Sequence, residues 1–219
     1  MQKNKFRGFN NVIAWVDLES GGLSKKECPI LSFAIIITKN MKEVARKEFR
    51  FRPANNEIIQ QQALEINGFK LDQIKKFPLY EKEIKNMENF LKQHIYLCKD
   101  QKNKFFIGGH NVIAFDTPFL KKWIEKRSGE FILDSLLHTN RNTQIDTKII
   151  CQNYRNTIWQ DKQPENHKLT TLSEFYGFDT SNAHDATDDV ERTIKLYNKI
   201  CRGYAKNTEK DLKYLKANK

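Results

Sequence analysis

The sequence has no cysteine pair at functional spacing. Its four cysteines, Cys28, Cys98, Cys151 and Cys201, stand far apart, and no two have the separation of a zinc site or a redox motif. Zinc-finger and disulfide-scaffold classes are therefore set aside, and reduced, packed cysteines in a reducing compartment are expected. Long apolar runs are also missing. The longest, around Phe33-Ala34-Ile35-Ile36-Ile37, is strand-sized and far short of the roughly 20 residues that cross a bilayer. The apolar stretch Val12 to Val16 ends at once in Asp17 and Glu19, so no signal peptide is recognised. A cytosolic protein without membrane contact is the expectation. No internal repeat is visible.

What is present is positive charge and an ordinary core composition. Lysine and arginine number 38 against 27 acids, a formal net charge of +11. A field of that sign attracts polyanions and speeds their capture, although charge does not distinguish DNA from RNA. With 219 residues, 39% apolar and 11% aromatic, the chain suits one well-buried domain.

The first third reads as strands. Residues 11–16 form a continuous apolar run, as in a strand covered on both faces. After a turn at Gly21-Gly22 comes Ile30 to Thr38, rich in β-branched residues. Glu43 to Arg52 then alternates apolar and charged positions until Pro53 stops it. Helices are expected at Glu57–Ile66, ending at Gly68, and at Glu81–Leu97, where Ile84, Met87, Leu91 and Ile95 share one face. A short strand, Phe105-Phe106-Ile107, precedes Gly108-Gly109. A helix begins near Asp116 with Pro118 in its first turn. Residues 128–144 read as an insertion. Helices follow at Ile145–Tyr154 and Leu169–Tyr176, separated by a polar loop carrying Trp159. A last helix runs from Asp185 to Arg202. Strands first, then helices with further strands, predict a single α/β domain over 1–203, a mixed sheet opening as an antiparallel meander and flanked by helices. A basic, loosely ordered tail over 204–219 completes the reading.

Three acidic segments carry the chemistry. Asp17 and Glu19 are i and i+2 on a strand and project from one face. Their repulsion is relieved by a divalent cation, and oxygen ligands favour Mg²⁺ or Mn²⁺; solvated acids at a strand end are the plainer alternative. Asp116 suits either a helix cap or a third ligand. In His184-Asp185-Ala186-Thr187-Asp188-Asp189, the acids suit a helix N-terminus. The same segment offers Asp189, or its neighbour Asp188, as a ligand and His184 as a base.

Taken together, these segments resemble the three motifs of the DEDDh (DnaQ-like) 3′→5′ exonuclease family, in an order and spacing that run from Asn11 to Ile200. Asp17-Leu18-Glu19-Ser20-Gly21-Gly22-Leu23 is similar to the first motif, with Ser20 where threonine is usual. His110-Asn111 to Phe115-Asp116 is similar to the second, with one extra residue between Asn111 and Phe115. His184 to Asp189 is similar to the third, whose spacing selects Asp189. The stretches 63–68 and 169–177 also resemble family segments.

The resemblance implies an RNase H-like fold and two-metal hydrolysis. Asp17, Glu19, Asp116 and Asp189 would hold two ions, Mg²⁺ or Mn²⁺, and His184 would deprotonate water. Leu18, Ser20, Asn111 and Phe115 would contact the terminal nucleotide. It implies removal of nucleoside 5′-monophosphates from single-stranded 3′ ends, in DNA proofreading or repair or in RNA trimming. No residue is seen to read a 2′-hydroxyl, which tips the choice slightly to DNA. A non-cutting binding module, a polymerase partner and a homodimer remain open.

Overall fold

The computed structural model describes residues 11–153, 159, 162–182 and 184–217. Strands β1 (Val12–Ser20), β2 (Ile30–Lys39) and β3 (Lys42–Arg50) form the expected antiparallel meander. Asn40 and Met41 close the β2–β3 hairpin with positive φ, as a tight twist-matched turn requires. On the other side of β1 lies β4 (Phe105–Gly109), paired parallel from Ile13↔Phe106 to Trp15↔Gly108. Two short strands, β5 (Leu137–His138) and β6 (Ile145–Asp146), both pair parallel with β4. The order is β3-β2-β1-β4-β5, with β6 also on β4, so β1 runs through the middle of a mixed sheet.

Alternation along β1 explains both layers. Val12, Ala14, Val16 and Leu18 face one side with Phe33, Ile35 and Ile37. There they meet α3 (Tyr80–His94) and α4 (Asp116–Ser128) through Met87, Leu91, Phe119 and Trp123. Ile13 and Trp15 face the other side with Ala34 and Ile36, against Val190 and Tyr197 of a long helix, Ala186–Ala217. Trp15 is fully buried, donates its indole N–H to Thr38 Oγ1 at 2.9 Å and lies over Gly108. A Cβ on Gly108 would come within 2.5 Å of the Trp15 ring, so glycine is required there for the close approach of strand and indole.

Shorter helices complete the chain: α1 (Gln61–Asn67), α2 (Leu71–Ile74), α5 (Thr147–Asn153) and α6 (Leu169–Phe175); the long helix is α7. None of the described helices is long and apolar enough to cross a membrane.

Several boundaries differ from the sequence reading. The helix expected from Ile145 begins at Thr147, because Ile145 and Asp146 pair with Gly108 and Gly109 as β6. The helix expected from Glu57 begins at Gln61, though Gly68 ends it with φ 72° as foreseen. Residues Ile95–Gln101 tighten into a 3₁₀ turn after α3. Within 128–144 lie β5 and a single 3₁₀ turn at Arg141–Thr143. The polar loop expected around Trp159 lies partly outside the described residues. The backbone of α7 continues to Ala217 instead of stopping at Arg202. Gly203 is the lone breaker, and good helix formers follow it.

Candidate active site

Asp17 and Glu19 extend the row begun by Ile13 and Trp15, so their carboxylates emerge on the α7 face where the β1–β4 pairing has ended. Glu19 lies opposite Ser32 on β2, and the ladder slips between Glu19 and Ser20, a bulge that bends the strand end. Asp116, the first residue of α4, is 3% exposed and accepts the Leu18 N–H through Oδ1 at 3.1 Å. The helix start is thereby tied to the strand end. Asp189 sits in the first turn of α7, 9% exposed, and accepts the His184 N–H at 3.3 Å. It also pairs with buried Arg192, one turn on, which donates to the Asn182 carbonyl at 3.3 Å. His184 is exposed and takes a left-handed φ of 72°. Ligating atoms of Glu19, His184 and Asp189 lie within 4.8 Å of one another. The three segments therefore converge on one spot, and the helix turns Asp189 towards it while Asp188 faces an outer groove.

The electrostatics reflect crowding of like charge. Burial pushes the Asp17 carboxyl well above the usual range, reinforced by Asp116, Glu19 and Asp189 and opposed by Arg192. Burial raises Glu19 to about 9, with Asp189, Asp116 and Asp185 adding to the shift. Asp116 rises to about 7, mainly through burial, against the N–H bonds from its own backbone and from Leu18. Asp189 is also raised by burial, although Arg192 and His184 pull it down.

This donor set fits divalent cations. Four carboxylates crowd together, only Asp17 and Asp189 feel the Arg192 guanidinium, and all four are held away from their charged forms. Hard oxygen ligands suit a hard cation, whose charge would restore their ionised state. Ser32, 1% exposed and directly across from Glu19, has a hydroxyl without a hydrogen-bond partner among the described residues. Such an orphan beside an acidic centre suits a hydrated ion or its water.

Two clefts flank the acids. One, about 230 Å³, is lined on its apolar side by Leu18, Leu23, Ala63, Ile66 and Phe115, with Glu19, Ser20, Gln60 and Asn67 supplying polar groups. The other is an open groove of about 610 Å³ bearing Ser32, Glu48, His184, Asp185 and Asp188. Leu18, Ser20 and Phe115 thus share this cleft. Asn111 is not brought into it. Its backbone N–H is taken by Asp146 Oδ1 at 3.0 Å, its side chain accepts Lys148 Nζ at 3.3 Å, and its φ is 66°. The Ser20 hydroxyl is turned to the Gly22 carbonyl at 2.7 Å.

Sequence reasoning missed the support of the second motif. Asp146, 3% exposed, accepts backbone N–H groups of Asn111, Ile113, Lys148 and Ile149. It thus clamps the β4–α4 loop to the start of α5. His110 points away from the acids, contacting Thr147 Oγ1 and the His167 carbonyl, both at 2.9 Å. The carbonyl can only accept, so Nε2 carries the proton, and burial lowers the His110 pKa to about 4. Arg192 was missed as well. Its one signal in sequence is its position three residues after Asp189.

A mixed sheet whose central strand ends in converging carboxylates, completed from the starts of two helices, defines a hydrolytic nuclease of the α/β class. More narrowly, the RNase T exonuclease family model matches residues 14–197, and the chain belongs to that family. Divalent-metal dependence follows from that membership. No curated protein matches the chain.

Among solved structures it is similar to Escherichia coli exonuclease I in a zinc-bound complex with single-stranded DNA. That match has a TM-score of 0.70 and 17% identity over 91% of this chain and 42% of the other. The same enzyme with a dT13 oligonucleotide gives 0.65 and 20% over 94% and 43%. Exonuclease I from Methylocaldum szegediense gives 0.61 and 18% over 88% and 40%. The RNase H-like fold is shared at these identities, and the chain spans less than half the length of these structures.

Proposed function

We propose that this chain is a 3′→5′ exonuclease that removes nucleoside 5′-monophosphates from single-stranded 3′ ends, with DNA preferred, using two Mg²⁺ or Mn²⁺ ions. The observation that carries the reading is the meeting of Asp17, Glu19, Asp116 and Asp189 beside a cleft sized for a nucleotide, with His184 close to Glu19 and Asp189 on the side of the open groove. The DNA complexes of the similar structures support the choice of substrate.

Asp17, Glu19, Asp116 and Asp189 would hold the ions, which would supply positive charge at the scissile phosphate and ease deprotonation of water. His184, next to Glu19 and Asp189 yet open to solvent, takes the proton from the attacking water. Arg192 and the His184 N–H fix the two oxygens of Asp189, so the carboxylate keeps one orientation. Leu18 and Phe115 offer apolar faces to the terminal base without reading its identity. Asp146 acts on the site through the loop it clamps, as a positioning residue.

The test is incubation of 5′-labelled single-stranded DNA and matching RNA with the protein in Mg²⁺, Mn²⁺ or EDTA, beside Asp17→Asn. A one-nucleotide ladder from DNA that disappears in EDTA and in the variant is expected. A faster ladder from RNA moves the substrate to RNA. Binding without a ladder on either strand sinks the enzymatic reading.

A further inference from the structure

Lysines surround the molecule, but four near the nucleotide-sized cleft share a distinctive arrangement. Lys25 and Lys26 lie on the loop that also supplies Gly22 and Leu23 to that cleft. Lys122 and Lys126 lie one turn apart on α4 and therefore on one face. Two hydrogen bonds stitch the loop to the α4 region. Lys25 Nζ donates to the Ala114 carbonyl at 2.9 Å, next to cleft-lining Phe115, and Lys126 Nζ donates to the Lys26 carbonyl at 2.9 Å. Lys25, Lys26 and Lys126 are thus tied to the segment beside the cleft, and Lys122 lies one turn before Lys126 on the same helix.

Their charge is uncompensated. Lys92, Lys104, Lys121 and Lys195 each have a carboxylate within 4.0 Å. Among the described residues, none of the four shelf lysines has an ion-pair partner. The nearby acids are engaged elsewhere: Glu27 accepts the Ser24 hydroxyl, Glu125 faces Lys121, and Glu57 is buried under Arg127. An ammonium carries three donors, so Lys25 and Lys126 each keep two beyond the carbonyl that holds them. Four cations without carboxylate partners, two of them held in place by carbonyls, suit an anion arriving from outside.

We propose that Lys25, Lys26, Lys122 and Lys126 form a shelf that carries the phosphodiester backbone of the strand 5′ of the nucleotide being removed. The inference rests on the cleft as the seat of that nucleotide. The shelf contributes grip on long strands and leaves the chemistry at the acids untouched. Its mark is salt dependence, because each neutralised phosphate on a single strand contributes about −0.7 to the slope of log K against log salt.

The experiment measures binding of a fluorescein-labelled 16-mer of thymidylate in EDTA, across a salt series, by anisotropy. Wild type is compared with K25A/K26A/K122A/K126A, with K26A/K122A, and with a control removing Lys82, Lys85, Lys92 and Lys99 around α3. The shelf variant is expected to lose about tenfold in affinity at low salt and to flatten the slope by about 2–3. The double variant, which leaves both lysine–carbonyl bonds in place, should show about half of that. Cleavage of a thymidylate dinucleotide should stay within about twofold of wild type. Equal losses in the shelf variant and the α3 control, or an unaltered slope, overturn the shelf. Anisotropy does not depend on cutting, so a wild-type chain that binds but never cleaves counts against the active-site reading, and the slopes still decide the shelf.

Discussion

Two aspartates of equal burial frame the loop between β4 and α4, and they do opposite things. Asp116 and Asp146 are each 3% exposed. Asp146 accepts four backbone N–H groups from two segments, so its negative charge is met by the fold itself. Asp116 accepts the Leu18 N–H and faces Asp17, Glu19 and Asp189, and burial raises it to about 7. Burial alone therefore does not distinguish the two carboxylates. What distinguishes them is whether the protein meets their negative charge.

The comparison breaks most visibly under substitution. Asp116→Asn is expected to cut mononucleotide release by about 10³-fold or more. The same change should raise the melting temperature of the metal-free protein, because it removes one of the repelling charges. An activity loss accompanied by a lower melting temperature would make Asp116 structural, like Asp146. His184→Asn, chosen because asparagine tolerates positive φ, should cost about 10²-fold in kcat with little change in KM. A kcat within twofold of wild type would remove His184 from the proton path.

Asp146→Ala should do the reverse of Asp116→Asn. Orphaning four N–H groups costs about 4 kcal/mol at the low end of about 1 kcal/mol each, a fall on the order of 8–16 °C in melting temperature for a chain of this size. KM should rise as Phe115 and the start of α4 lose their support. Retention of stability would mean the loop is held by His110 and Thr147 alone.

A smaller effect concerns pH. Unfolded carboxyls titrate near pH 4, whereas Asp17, Glu19, Asp116 and Asp189 are raised in the fold, Asp116 to about 7 and Glu19 to about 9. The folded state holds these protons more tightly. Their contribution is therefore full below about pH 4 and is lost as pH climbs through about 7 to 9. Melting of the metal-free protein should fall by on the order of 5 °C between pH 5 and pH 9. Added Mn²⁺ should recover most of that loss, and recovery at pH 5 should be weaker because protons compete for the ligands.

Much of this frame could be read in the sequence. The apolar run ending in Asp17 and Glu19 placed both acids on one face of one strand, and the spacing of the third motif selected Asp189. The meander was legible because β2 is continuously apolar and β3 alternates. What escaped reading was whatever depends on two or three residues. β6 has only Ile145 and Asp146, too few to show a period, and Asp146-Thr147 carries the chemistry of a helix start. β5 is equally short. Asp146 caps α5, and its hold on Asn111 and Ile113 is a tertiary fact that no local pattern shows. The resemblance to the second motif put Asn111 among the nucleotide contacts, although that motif carries one residue more than is usual. The fold uses His110 as an anchor and keeps Asn111 out of the cleft.

Titration of the protein with Mn²⁺ by calorimetry at pH 7.5, in buffers of different ionisation enthalpy, tests the central claim most directly. Ions shared by Asp17, Glu19, Asp116 and Asp189 predict two bound equivalents, proton release on binding, and at least tenfold weaker binding in Asp116→Asn. Weak binding in wild type, or binding that Asp116→Asn leaves intact, would contradict it.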